Sequence, residues 1–438
     1  MKELVTEAMK VLVVGSGGRE AAMVDVLAKT CPRPVIFVAP GNPGMARYAQ
    51  CHNIAIDNID GLVTLAKRLD IDLTLVGPET PLILGIADRF RQKNLPIIGP
   101  SKSAAQLEGS KVFAKEFCRR HNIPTAPFLV FDDFYKARSH ALKRPMPCVV
   151  KADGLCGGHG VFIAKTRKQA IRALEILLQE KRFGASGNRV VIEDFLRGWE
   201  YSFFVLVGSD GRTYRNFPVA EDYKRLLDNN LGPNTGSMGS CAPIYLTHCS
   251  HFNTIDRIVI PTLEGMRKEG NPYIGWLYTG VMMTSDGPQV VEYNVRFGDC
   301  EAQVIFPLIQ NHFLEELIDS ATIPCSFQMN CSEAGSVVCV VLASPGYPDN
   351  PRVGLEIEGI EEAEKCENVA VLHAGTRISS EGKLVSAGGR VLNILGFGKN
   401  IDEALARAYP AIKHIKFGGS KKFVVYRKDI GAIIPRKK

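Results

Sequence analysis

The chain has 438 residues, of which 45% are hydrophobic and 23% charged, an ordinary globular composition whose length suggests about two to four domains. Disordered, collagen-like and coiled-coil architectures are excluded. The formal charge of +7, from 53 basic and 46 acidic residues, is mild over this length and suits an anionic small molecule as well as a nucleic acid.

No apolar stretch reaches the roughly 20 residues of a membrane span, and the start MKELVTEAMK carries acids where a secretory leader carries basic residues. A soluble cytoplasmic protein without membrane contact is expected. Twelve cysteines lie scattered through apolar segments such as those around Cys148 and Cys339, with no CxxC pair, so reduced, buried thiols are expected and zinc is not.

The apolar run Lys10–Gly15 predicts a strand that ends in Gly15-Ser16-Gly17-Gly18 and leads into the helical pattern REAAMVDVLAKT. The same theme recurs in PVIFVAPGNPG, GLVTLAKRLD with DLTLVGPET, and ADRFRQKN with LPIIGPS. Such alternation predicts a doubly wound parallel sheet with ligands at the strands' carboxyl ends. Gly17, Gly18 and Arg19 then sit where amide groups and a helix dipole hold a phosphate. An NAD site is excluded because the second strand ends in Ala, Pro and Gly instead of an acid.

From Lys111 the pattern changes to the helix VFAKEFCRRHN and then to strands around PCVVKADG, GVFIAKT and RVVIEDFL. Gly157 and Gly158 join two strands, which is not a Walker loop; a hairpin over nucleotide phosphates, with Lys151 as a fixed cation in the preceding strand, accounts for them. Downstream, Glu193-Asp194-Phe195 and Glu200 follow a strand that can offer backbone to an adenine and a carboxylate to a ribose. A further strand-rich block holds YSFFVLV, a loop LGPNTGSMGS and a hairpin turning at Asp286-Gly287. Period-2 alternation places Glu292, Asn294 and Arg296 on one face of its second strand. Carboxylate and amide oxygens suit Mg²⁺, and Arg296 is placed to neutralise a transferring phosphoryl group. The remainder, with SVVCVVLASPGYP, VAVLHAGT, a hairpin at SSEGKLVS and the helix IDEALARAYPAIKHI, reads as a small α+β unit. Nucleic-acid binding has no basic, aromatic-laced stretch behind it.

In order, GSGGRE, VGPETPL, GSK, KADG, EDFL, GPNTG, EYNVRFGD, HAGT and GGRVL resemble the phosphoribosylamine–glycine ligases, a family of ATP-grasp enzymes, from about Met9 to Gly431. The resemblance implies an α/β ATP-grasp fold in three parts: a Rossmann-like domain at 1–108, an ATP-grasp domain at 109–325 with a mobile ATP-covering part at about 125–200, and an α+β domain at 326–438. It implies ATP with Lys111 and Lys151 at the phosphates, Glu193 and Phe195 near the adenine and Glu200 near the ribose, and Mg²⁺ or Mn²⁺ on Glu292 and Asn294. Implied too are glycine and 5-phosphoribosylamine as substrates, joined through a glycyl phosphate in purine synthesis by a monomer. Within that frame Arg296 stabilises the acyl phosphate and Asn234, Thr235 and Gly236 surround the carboxylate. Asp222, Lys224 and Arg225 hold the polar ends of the substrates, and the first glycine loop with Glu79 takes the ribose phosphate and hydroxyls.

The family pattern reads GREHA, GKGV, QDHKR, GPNTGG and RFGDPE where this chain has Ala21, His159, Glu221 with Tyr223, Ser237 and Cys300. Several of these departures fall where substrate is expected, so a paralogue acting on another amine or amino acid is the alternative reading. His159 replaces a permanent cation of the phosphate-covering hairpin by a residue type with an ordinary pKa near 6.5. The KM for ATP is therefore expected to fall between about pH 8 and about pH 6; a flat profile counts against this role.

Overall fold

The computed structural model describes residues 8–157, 159–314, 317–318, 327–328 and 335–432. Gly158, the expected boundary at 325–326 and the basic tail Arg436–Lys438 lie outside them. Among the described residues no helix is long and apolar enough to cross a membrane. The ten described cysteines are free, but Cys31, Cys51 and Cys249 are exposed, which corrects the expectation of uniformly buried thiols.

Residues 10–98 form the expected parallel sheet, in the order Gln50–Cys51, Val35–Pro40, Lys10–Gly15, Leu73–Val76, Ile97–Ile98. Its central strands are buried on both faces, which is why they read as continuous apolar runs. The order reverses between Lys10–Gly15 and Leu73–Val76. The first glycine loop and Glu79 both emerge at that crevice, the ligand position of such sheets.

The helix Lys111–Arg120 starts at Ser110, whose Oγ accepts from the Phe113 amide at 3.0 Å. It leads into a four-stranded antiparallel sheet ordered Phe128–Phe131, Val190–Asp194, Cys148–Ala152, Val161–Ala164. The helices Phe134–Lys143 and Arg167–Leu174 pack against it in a separate small core. A second sheet carries Gly287–Asn294, Gly275–Thr284, Trp199–Val207 and Tyr214–Asn216, with the hairpin turning at Gly287. Just beyond it, Phe297 stacks on Phe204 at 4.2 Å and meets Trp276 and Phe306 at 5.0 and 4.5 Å.

Two expectations are corrected. Within the expected loop LGPNTGSMGS, Leu231–Asn234 is a strand paired with Arg225–Leu227, because Asn229 and Asn230 (φ 58° and 54°) make a left-handed tip that asparagine tolerates. The terminal unit is also not self-contained. Its strands Val369–His373, Arg390–Gly398 and Ser336–Ala343 continue into Gly239–Ala242 and Glu221–Asp222. The buried strand Ser336–Ala343 needs hydrogen-bond partners on both edges, and the preceding segment supplies one.

Phe297→Ala is expected to cost about 3–5 kcal/mol, the range for emptying a buried aromatic site, read as a lower midpoint in urea unfolding. The fully buried ring also fixes the carbonyl that receives Arg19 at 3.0 Å and Arg296 at 3.3 Å.

Candidate active site

Lys151 is buried in its strand, its Nζ 2.6 Å from Glu193 Oε1 and donating to the Val291 carbonyl at 3.0 Å. Lys115, which the sequence reading missed, reaches the other carboxylate oxygen at 2.5 Å and Thr125 Oγ1 at 2.6 Å. Burial opposes the charge of Glu193, but Lys151 and Lys115 lower its pKa below the ordinary value. The Glu193 carboxylate is thus taken up by two lysines. Lys115 was detectable: Val112, Lys115 and Cys118 share a face with helical spacing, and all three are buried.

Lys111 opens the same helix, its Nζ donating to the Gly154 carbonyl at 3.3 Å. Asp153 Oδ1 accepts from Ser110 Oγ at 2.6 Å and from the Val112 amide at 2.9 Å, while Arg189 holds its other oxygen at 2.6 Å. The KADG segment therefore joins the start of the helix to the glycine hairpin. Gly157 lies in that hairpin with φ 55°, and Phe195 is half-buried just after the Glu193 strand.

Glu292 and Asn294 face the same way on their strand, opposite Gly280 and Tyr278. Lys224 Nζ bridges Glu200 Oε1 at 2.6 Å and Glu292 Oε1 at 3.3 Å. Burial opposes the Glu292 charge, but Lys224, Lys151 and Lys111 hold its pKa down at about 2. One permanently ionised carboxylate beside the Asn294 amide oxygen is a hard donor pair that fits Mg²⁺, which takes the rest of its shell from water and phosphate. Among the described residues no group of three or more His, Cys, Asp or Glu forms a complete metal cage.

Arg296 lies two residues beyond the end of the strand, which corrects its expected place on the strand's face. It is 3.3 Å from Glu79 Oε2 and 2.8 Å from Glu108 Oε1, and it donates to Asn294 Oδ1 at 2.9 Å. Glu108, also missed in the sequence, accepts from the Val295 amide at 2.7 Å. The expectation that the first glycine loop offers free amides is corrected. Glu20 folds back so that its Oε2 accepts from the Gly17 amide at 2.6 Å, and any side chain at Gly15 or Gly77 would collide with it. Arg19 is buried between Glu20, at 2.6 Å, and the Phe297 carbonyl. Gly18 packs against Asn393 and Gln303, and Gly17 against Asp299.

The segment from Asp222 to Gly236 is likewise more internally bonded than expected. Thr235 donates through both its amide and its hydroxyl to the Lys224 carbonyl, at 2.8 and 2.9 Å. The Gly236 amide donates to Tyr347 Oη at 3.0 Å, and Arg225 to the Gly232 carbonyl at 2.8 Å. Arg225 and Asn234 stand opposite each other in the hairpin. The Thr235 and Gly236 donors thus hold the turn, and the expectation that they encircle a carboxylate is corrected. Burial pushes the Asp222 pKa well up, and the Glu301 carboxylate adds to that. Glu301 accepts from Ser202 Oγ at 2.8 Å.

Burial raises the Glu108 pKa from 4.5 to about 7, with Arg296 opposing and Glu79 adding. A carboxyl whose pKa is higher folded than unfolded withdraws stability as pH rises between those two values. Wild-type Tm is expected to decline from about pH 4.5 to about pH 7 relative to Glu108→Gln, measured by thermal melts of both across that window.

Three family descriptions together match most of the chain: the phosphoribosylglycinamide synthetase N domain at residues 9–108, its ATP-grasp (A) domain at 109–302 and its C domain at 337–433. The phosphoribosylamine–glycine ligase of Caldanaerobacter subterraneus subsp. tengcongensis is 42% identical over 97% of this chain and 100% of its own. The crystal structure of phosphoribosylamine–glycine ligase from Thermotoga maritima superposes with a TM-score of 0.83 at 34% identity, covering 96% of this chain and all of that one. At 18% identity, the biotin carboxylase domain of Hydrogenobacter thermophilus 2-oxoglutarate carboxylase, solved with MgADP and bicarbonate, shares the ATP-grasp fold with a TM-score of 0.69, covering 95% of this chain and 91% of that one. The chain belongs to the phosphoribosylglycinamide synthetase family.

Proposed function

We infer that the chain ligates glycine to 5-phosphoribosylamine, giving glycinamide ribonucleotide, ADP and phosphate in purine synthesis. The observation that carries this reading is the bridge of Lys224 between Glu200 and Glu292, next to the two buried lysines on Glu193 and an arginine clamped at the crevice of the N-terminal sheet. This supports a cationic nucleotide site next to a second substrate site. The glycine carboxylate attacks the γ-phosphorus, ADP departs, and the amine of phosphoribosylamine then displaces phosphate from the glycyl phosphate. Both steps depend on positioning and charge neutralisation more than on a reactive side chain.

In this reading Lys111 and Lys151 bind the ATP phosphates, Phe195 and the Glu193 backbone adjoin the adenine, and Glu200 the ribose. Bound to Glu292 and Asn294, Mg²⁺ or Mn²⁺ would supply neutralisation of phosphate charge. Arg296 faces the transferred group, while Asp222, Lys224 and Arg225 hold the polar ends of the substrates. At the crevice of the N-terminal sheet, Gly18 and Arg19 adjoin the ribosyl phosphate and Glu79 the ribosyl hydroxyls. The alternative, a paralogue with another amine or amino acid, is not favoured, because relatives named for glycine match along 97% of the chain.

ADP release is expected at full rate only with ATP, a divalent cation, glycine and phosphoribosylamine together. An undiminished rate with another amino acid in place of glycine overturns the assignment. Glu292→Gln is expected to lower kcat by about 100-fold or more, the scale of removing one electrostatic stabiliser.

A further inference from the structure

We propose that Arg427, in the C-terminal segment, is a positioning residue that fixes the hairpin Arg225–Asn234 beside the reacting groups. The proposal rests on the ligase reading above.

Arg427 is 1% exposed, and its guanidinium is bonded on every nitrogen. Its Nε and one terminal nitrogen bind the two Asp429 oxygens at 2.7 Å each. The other donates to Asn230 Oδ1 at 2.9 Å and to the Arg225 carbonyl at 3.3 Å. The cation also lies 5.0 Å from the Tyr223 ring centroid. One planar group therefore grips the hairpin at its base, at its tip and on the residue before Lys224. Around it, Asp429 Oδ2 accepts from the Asn229 amide and Asp228 Oδ1 from the Lys428 amide, both at 2.8 Å.

The segment carrying the clamp is itself anchored. Val425 exchanges backbone hydrogen bonds with Ala343, and Tyr409 Oη donates to the Arg427 carbonyl at 3.1 Å. A buried bidentate pair of this kind holds geometry that lysine cannot reproduce. The hairpin would otherwise rest on little: Leu227 and Leu231 are half exposed or more, and an isolated two-stranded hairpin is barely stable in water. Arg427, about 200 positions downstream, thus ties down the tip of the hairpin and the residues on either side of Lys224.

The test compares wild type, Arg427→Lys and the surface variant Asp228→Ala/Asn230→Ala, which loosens the tip without emptying the buried site. Readouts are KM for each substrate, Tm, and hydrogen exchange of the hairpin amides. Both variants are expected to exchange faster, and Arg427→Lys to raise the glycine KM about tenfold with the ATP KM within about twofold of wild type, the signature of local misplacement. Unchanged exchange overturns the clamp. Faster exchange with an unchanged glycine KM, or a lowered Tm with all KM values moving together, reduces Arg427 to a structural residue and overturns the proposal. Wild type turning over without glycine overturns the ligase reading, while the exchange data still decide the clamp.

Discussion

The guanidinium of Arg296 is bonded at once to Glu79 from the end of the N-terminal sheet, to Glu108 from the connection that follows it, and to Asn294 from the central sheet. A largely desolvated cation is tolerable only when its partners are in place, so this group ties three stretches of the chain into one register. The Phe297 carbonyl, held by the aromatic cluster behind it, receives both Arg296 and Arg19. The crevice of the parallel sheet is thereby locked against the strand that carries Glu292.

Across that strand the charge balance is of another kind. Lys115, Glu193 and Lys151 form a triad with both carboxylate oxygens occupied, leaving one net positive charge in a poorly solvated place. Of these two lysines Lys151, together with Lys224 and Lys111, also holds Glu292 ionised.

Period and turn chemistry made much of the molecule legible. The parallel sheet, the helix from Lys111 and the shared face of Glu292 and Asn294 follow from spacing alone. What stayed hidden depends on partners far away in the chain. Nothing near Glu108 announces that its acceptor duty lies with Val295, 187 positions on. Gly239–Ala242, with sequence GSCA, has no branched or aromatic residue to mark it as a strand; its place in the terminal sheet is set by the unpaired edge of Ser336–Ala343. Nothing in the pattern around Glu20 marks it, yet its side chain fills the space left by Gly15 and Gly77.

The departures from the family pattern bear on whether the chemistry is shared. Ser237 has φ 117°, a conformation that favours glycine, and the residue is held there by hydrogen bonds to Thr235 Oγ1 and the Gly239 backbone. Tyr223 is buried under the Arg427 guanidinium, and Cys300 is fully buried beside Arg390. Ala21 lies on the buried side of its helix, lining the cleft toward Val369–His373. Each is absorbed by packing or by a turn, and none replaces a group that pairs with Glu292, Arg296 or Glu193. These four substitutions fall on the scaffold around the ionic network, whereas His159 removes a permanent cation from the glycine hairpin.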